Sequence, residues 1–106
     1  MMIKDMNDLL GEELLSSLLN ISNEKLRGYI TKPNTMPGDM IDRIDRLSGI
    51  CRNLQRKPPV DGIHGWFFKE RRRLQHKRPV DILKGDWWPR HPDVLTVLEL
   101  SDSLRG

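Results

Sequence analysis

Leucine recurs along the first twenty residues at the spacing of a helix. Leu9, Leu10, Leu14, Leu15, Leu18 and Leu19 stand three or four residues apart, which stacks their side chains on one helical face. Gly11 interrupts the run, so the pattern predicts a short first helix and a second from about Glu12. A third is predicted from Ser22 to Ile30, with Ser22 as an N-cap acceptor and Glu24 as a favourable charge in the first turn. Residues 31 to 39, TKPNTMPGD, are turn formers and read as a loop. Beyond it Met40, Ile44, Leu47, Cys51 and Leu54 fall at steps of four and three, while Asp39 with Arg43 and Asp42 with Arg46 are acid-to-base pairs on the wet side. This predicts an amphipathic helix of about five turns. Gly49 inside it costs about 1 kcal/mol relative to alanine, a sign that something packs closely there.

Paired prolines and an Asp-Gly turn make residues 56 to 62, RKPPVDG, the natural linker. After it the pattern predicts a helix from about Ile63 to Gln75, a short one begun by Pro79 and terminated by Gly85, and a last one from about Pro92 to Leu104. The chain therefore reads as all-α, with an N-terminal region 1–56 and a C-terminal region 57–106. No strand pattern, internal repeat or low-complexity segment interrupts this reading.

The stretch SSLLNISNEKLRGYI, residues 16 to 30, admits two interpretations. A helix-turn-helix needs a small residue where its helices cross, a residue tolerant of left-handed backbone at the turn, and apolar residues that lock the pair. Ser16 is the small residue and Asn20 the turn, since Asn accepts the left-handed conformation better than any residue except glycine. Leu15, Leu19, Ile21, Leu26 and Tyr29 occupy the locking places. The alternative is a plain helical hairpin in a bundle. If the unit binds DNA, the exposed N-terminal residues of its second helix reach base edges: Ser22, Asn23, Lys25 and Arg27, with Lys32 just beyond for a phosphate.

Charge refines the picture only locally. The formal balance is +3, from 18 Lys and Arg against 15 Asp and Glu. Residues 1 to 24 carry one lysine against five acids, and residues 25 to 56 carry seven bases against three acids. Phosphate attraction in the N-terminal half would come from the second stretch alone. So few cations flank the third helix that a monomer should bind DNA weakly, and tight binding would need two copies on a palindromic site.

Lys69, Arg71, Arg72, Arg73, Lys77 and Arg78 place six cations within ten residues, offset by Glu70 alone. Arginine forks suit carboxylates and phosphates, so the strip reads either as a contact for an acidic protein surface or a nucleic-acid backbone, or as a solvated helix face. Trp66, Phe67 and Phe68 cannot all point inward from one helix. Of Trp87 and Trp88, one is expected to fill the core and the other to serve as a contact.

Catalysis finds little support. His64, His76 and His91 stand twelve and fifteen residues apart, without a carboxylate cluster or a cysteine pair, and no glycine-rich phosphate loop occurs. The expectation is a non-enzyme without cofactor or metal. A lone Cys51, no leader and no apolar run of about 18 residues point to a soluble cytoplasmic protein. A chain this small buries only about 60 to 70% of its unfolded surface, so a partner or a second copy is expected.

GWFFKERRRLQHKRPVDILKGD, residues 65 to 86, resembles the toxin-binding domain of the Xre/MbcA/ParS-type antitoxins. The likeness lies in an aromatic-led helix, a basic step, a Pro-x-Asp-x-Leu helix start and the closing apolar helix DVLTVLELSDSL. It is carried by Trp66, Leu74, Pro79, Asp81 and Leu83, and it covers most of residues 9 to 104. In that family the domain follows an Xre-like helix-turn-helix, the order seen here. The resemblance implies an antitoxin that blocks a RES-domain, NAD-consuming toxin with its C-terminal region. It also implies repression of the shared promoter, as a homodimer or a toxin-antitoxin hetero-oligomer on operator DNA. Candidate toxin contacts are Trp66, Phe68, Arg72, Arg73, Lys77, Arg78, Trp88, Leu104 and Arg105. The alternatives are a freestanding helix-turn-helix regulator without a toxin partner, and a helical adaptor that binds no DNA.

Overall fold

The structure is a computed structural model, and it describes residues 1–103. These residues form seven α-helices: α1 Ile3–Leu10, α2 Glu12–Leu19, α3 Asn23–Thr31, α4 Gly38–Arg56, α5 Gly62–Trp66, α6 Pro79–Ile82 and α7 Pro92–Asp102, with 3-10 turns at Pro33–Thr35 and Arg72–Leu74. Among the described residues there is no strand, only an isolated antiparallel bridge between Arg71 and Lys77. The fold is all-helical, as the periodicity predicts, and no helix is long and apolar enough to cross a membrane.

Local chemistry explains the first three helices. Gly11 ends α1 at φ 86°, in the left-handed half of the map where glycine alone is unstrained, and α2 begins at the next residue. Asn20 closes α2 at φ 56°, ψ 47°, and the Ile21 amide returns to the Ser16 carbonyl at 3.0 Å. The Ser22 hydroxyl accepts from the Lys25 amide at 3.1 Å, capping α3, and Glu24 lies in its first turn. Leu15, Leu18, Leu19 and Leu26 are fully buried, which locks the pair.

The long helix α4 organises the rest. It buries Met40, Ile44, Leu47, Ile50, Cys51 and Leu54 and lies along α7. At Gly49 a Cβ would meet Leu98 Cδ1 at 3.5 Å, so the helices approach closely there, at ordinary contact distance. Polar ties hold the far end: Asn53 Nδ2 donates to Ser101 Oγ at 3.0 Å, and Arg56 pairs with Asp102 at 2.7 Å. The predicted wet-side pairs of α4 form only in part. Arg43 reaches Asp39 at 3.7 Å, but its side chain is only 12% exposed, and its Nε donates to the Trp87 carbonyl at 2.9 Å. Arg46 leaves Asp42 and donates to the Pro89 carbonyl at 3.0 Å. Backbone carbonyls of the α6–α7 connection need donors, and the arginines of α4 are the groups that reach them.

The C-terminal region departs most from the pattern. The helix predicted over 63–75 ends at Trp66. Phe67 and Phe68 close tight turns onto His64 and Gly65, and the chain then forms a hairpin in which the Arg71 amide bonds the Lys77 carbonyl at 3.0 Å. Two causes act together. Trp66 and Phe67 bury two large rings edge to face, centroids 5.2 Å apart, and the Phe67 carbonyl accepts from the Val80 amide at 3.0 Å instead of from a helical one. A helix through residues 69–73 would also bring like charges together at three- and four-residue steps. Gln75 and His76 carry the reversal at φ 57° and 66°. Downstream, α6 already ends before Leu83, two residues ahead of Gly85 at φ 62°.

One core crosses the predicted linker: residues of α1 to α4 join Trp66, Phe67, Leu74, Leu83, Trp87, Val94 and Val97 in a single cluster. The radius of gyration, 13.0 Å, is that of one compact body of about 100 residues. Trp87 is central to this joining. Its indole is 6% exposed, and Nε1 donates to the Leu18 carbonyl at 2.6 Å. That carbonyl belongs to the last turn of α2, where no further helical amide follows to meet it. Replacing Trp87 with Phe should cost about 2–3 kcal/mol, because it strands a buried carbonyl and leaves space behind. The urea midpoint should fall with an unchanged slope.

Candidate nucleic-acid and partner surfaces

The first surface is α3 as α2 presents it. Ser16, 6% exposed beneath the crossing, donates from Oγ to Asn23 Oδ1 at 2.6 Å. Asn23 is therefore half-buried and engaged by the crossing, while Ser22, Glu24, Lys25, Arg27, Gly28, Thr31 and Lys32 are exposed. Ser22 spends its oxygen on the cap. Arg27 is solvent-exposed but clasped from α2: Nε and Nη2 donate to the Glu12 carboxylate at 2.6 and 3.0 Å. That hydrogen bond, ahead of simple charge attraction, raises the Arg27 pKa. Lys25 and Lys32 enter no ion pair among the described residues. At the turn itself, Asn20 Nδ2 donates to Asp86 Oδ1 at 3.1 Å. With Glu12 and Glu24 beside Arg27 and Asp86 at the adjoining turn, three carboxylates offset the three cations and this face is nearly neutral.

The second surface lies in the C-terminal region. Trp66 is buried, with the Arg71 guanidinium 4.9 Å from its ring centroid, so its place is in the core and any effect on a partner is indirect. Burial lowers the Arg71 pKa, against the opposing pull of Asp61. Phe68 is 42% exposed and stacks on His64, centroids 5.3 Å apart. Trp88 is 62% exposed and stands between two grooves. One, of about 470 Å³, runs along Asp39, Asp42, Asp45 and Arg90; the other, of about 270 Å³, along Lys77, Lys84, Ile82 and Val94. The structure thus brings Lys77 and Trp88 to one groove, while Phe68 lines neither.

The basic strip is a hairpin rather than a helix face, and much of its charge is internally matched. Arg73 pairs with Glu99 at 2.6 Å and Lys69 with Asp61 at 3.7 Å. Arg78 chelates Asp81 with Nε and Nη2, both at 2.9 Å, and its amide donates to the same carboxylate at 3.0 Å, so Asp81 reaches back from the first turn of α6 to the residue that precedes it. Arg72 and Lys77 remain exposed and enter no ion pair among the described residues. Leu104 and Arg105 lie outside the described residues.

Sequence spacing missed the partners of these groups. Glu12, Asp86 and Glu99 lie 15, 66 and 26 residues from Arg27, Asn20 and Arg73, separations that carry no local signal. Burial pushes the Cys51 thiol up to about 12, which suppresses the nucleophilic thiolate. Among the described residues no three His, Cys, Asp or Glu side chains are grouped to hold a metal ion.

No protein-family model matches the chain, and neither curated proteins nor solved structures give a match.

The Arg78 hydrogen bonds hold the Asp81 carboxyl down at about 2 from its ordinary 3.8. The folded state therefore binds this proton less tightly than the unfolded chain does. The stability it contributes is complete above about pH 4 and is lost as pH falls through 2. Both side chains are more than a third exposed, so the effect is small. The stability difference between the native chain and Asp81→Asn, measured by urea unfolding, should be present at pH 7 and shrink towards zero by about pH 2.

Proposed function

We propose that the chain is an antitoxin of the Xre-like kind, a cytoplasmic protein that docks two surfaces and catalyses nothing. Its early helices bind operator DNA and repress the operon. Its C-terminal region seats against, and blocks, an NAD-degrading RES-domain toxin. The observation that carries this reading is the α2–Asn20–α3 unit, whose second helix is capped, locked from below by Ser16, and open to solvent along Lys25, Arg27 and Lys32. In such a unit the second helix enters the major groove and the first crosses the backbone.

The chemistry follows from what each side chain is free to do. Lys25 and Lys32 neutralise phosphates. Arg27 exchanges the Glu12 carboxylate for the paired acceptors of guanine, a trade that costs little because exposed ion pairs contribute about 0–1 kcal/mol. Asn23, held by Ser16, sets the position of α3 more than it reads a base. The nearly neutral face gives each protomer a weak hold, so a second copy on a repeated half-site supplies the remaining affinity. On the other surface the exposed aromatics Phe68 and Trp88 are anchors, and Arg72 and Lys77 meet acidic groups of the toxin. A second reading, a helical protein-binding adaptor that leaves DNA alone, draws on the Arg27–Glu12 clasp and on Asp86 at the turn.

Co-expression with the neighbouring gene, scored for growth rescue and copurification, together with a salt-dependent shift assay on the upstream DNA, tests both halves. Growth rescue and a specific shift support the antitoxin reading. Absence of rescue and copurification overturns it, and absence of a shift at low salt leaves the adaptor. Arg27→Ala should weaken operator binding by about 1–3 kcal/mol while leaving rescue intact. A Phe68→Ala, Trp88→Ala double variant should do the reverse, losing about 2–4 kcal/mol of toxin affinity with the DNA shift retained.

A further inference from the structure

Trp88 stands in water and is held there. Its indole is 62% exposed, although its neighbour Trp87 is buried. Three consecutive carbonyls fix the backbone around it: that of Trp87 accepts from Arg43 Nε at 2.9 Å, that of Trp88 from the His91 amide at 3.0 Å, and that of Pro89 from Arg46 Nε at 3.0 Å. Two of these donors are charged side chains of α4, turned to an irregular connection that carries an apolar ring outward. A large ring on a fixed backbone loses little freedom when a partner covers it, which is the condition for a binding anchor.

The two sides of that ring differ. Apart from Trp88 and Pro89, the groove of about 470 Å³ is lined by charged side chains alone. The groove of about 270 Å³ has apolar lining from Trp87, Ile82 and Val94, together with the exposed Lys77 and Lys84. Its two carboxylates already serve the fold. Asp81 takes three hydrogen bonds from Arg78, and Asp93 lies in the first turn of α7, where its own amide donates to His91 Nδ1. Lys77 and Lys84 enter no ion pair among the described residues, and Lys84 acts on Asp81 only through its field. The charge left to be matched is therefore positive, beside an apolar surface. A nucleic-acid strand, with an anion at every residue, would be repelled by Asp81 and Asp93. A single carboxylate next to an apolar side chain suits both the lysines and the apolar lining. We infer that this groove takes a partner segment carrying an aspartate or glutamate beside an apolar side chain, the apolar group packing on Trp88 and the carboxylate pairing with Lys84 and Lys77. The inference rests on the partner-binding half of the proposed function and adds to it Lys84 and the chemistry of the segment that docks.

The test uses the full chain with the protein encoded by the neighbouring gene. Lys84→Glu should weaken their association about ten- to thirtyfold, and Lys77→Glu combined with it about a hundredfold, whereas Asp42→Asn in the other groove should change it less than about twofold. Both lysines are exposed, so the urea midpoints of the variants should match that of the native chain. Carbodiimide coupling joins an amine to a touching carboxylate as an amide with loss of water. In the native complex it should link Lys84 or Lys77 to an Asp or Glu of the partner that has an apolar neighbour. Undiminished association of the Lys77→Glu, Lys84→Glu double variant, or coupling of these lysines to Asp81 and Asp93 alone, overturns the inference and leaves the antitoxin reading standing. A labelled thymidylate single strand that binds the native chain and is lost with Trp88→Ala assigns the groove to nucleic acid and overturns the inference as well. A native chain that associates with no product of the neighbouring gene removes both the inference and the antitoxin reading.

Discussion

The hydrogen bond from the Trp87 indole to the Leu18 carbonyl is the constraint on which the rest of the structure depends. Leu18 lies in the last turn of α2, and Trp87 lies 69 residues later in an irregular connection. A buried carbonyl at a helix end needs a donor, and the Trp87 indole supplies it. The surrounding bonds extend the same solution. Arg43 holds the Trp87 carbonyl, Arg46 holds that of Pro89, and Asn20 meets Asp86. Residues 86 to 89 thus lie against both the turn and α4, and Trp88 faces water because its two neighbours are pinned. The early and late surfaces consequently share one core.

Part of the positive charge is matched within the chain. Arg27, Arg56, Arg73 and Arg78 each find a carboxylate within 3 Å. These pairs are exposed, so they add little stability and exchange readily for a better anion. Lys25 and Lys32 on α3 and Lys77 beside Trp88 are exposed and enter no ion pair among the described residues.

Much of the early region was legible because its chemistry is local. The Leu spacing, the left-handed Asn20, the Ser22 cap and the apolar stripe of α4 each act within one or two turns, and all appear as read. The division between a core tryptophan and an exposed one was also legible, although not the choice of Trp87 for the core. The site was less so. Asn23 and Arg27 look like free readers in the sequence, yet Ser16 and Glu12 engage them from a helix earlier in the chain. The basic strip looked like a helix face because periodicity alone does not record that Trp66 and Phe67 both need the core.

By itself the amino-acid sequence determined an all-helical chain, the positions of its first helices and turns, and which faces are apolar, since period, caps and glycines work through neighbours along the backbone. The tertiary structure decided where the helix after the linker stops, which of two adjacent tryptophans is covered, and which arginines are already occupied. Those outcomes turn on contacts between residues tens of positions apart, and folding brings them together only when the whole core closes.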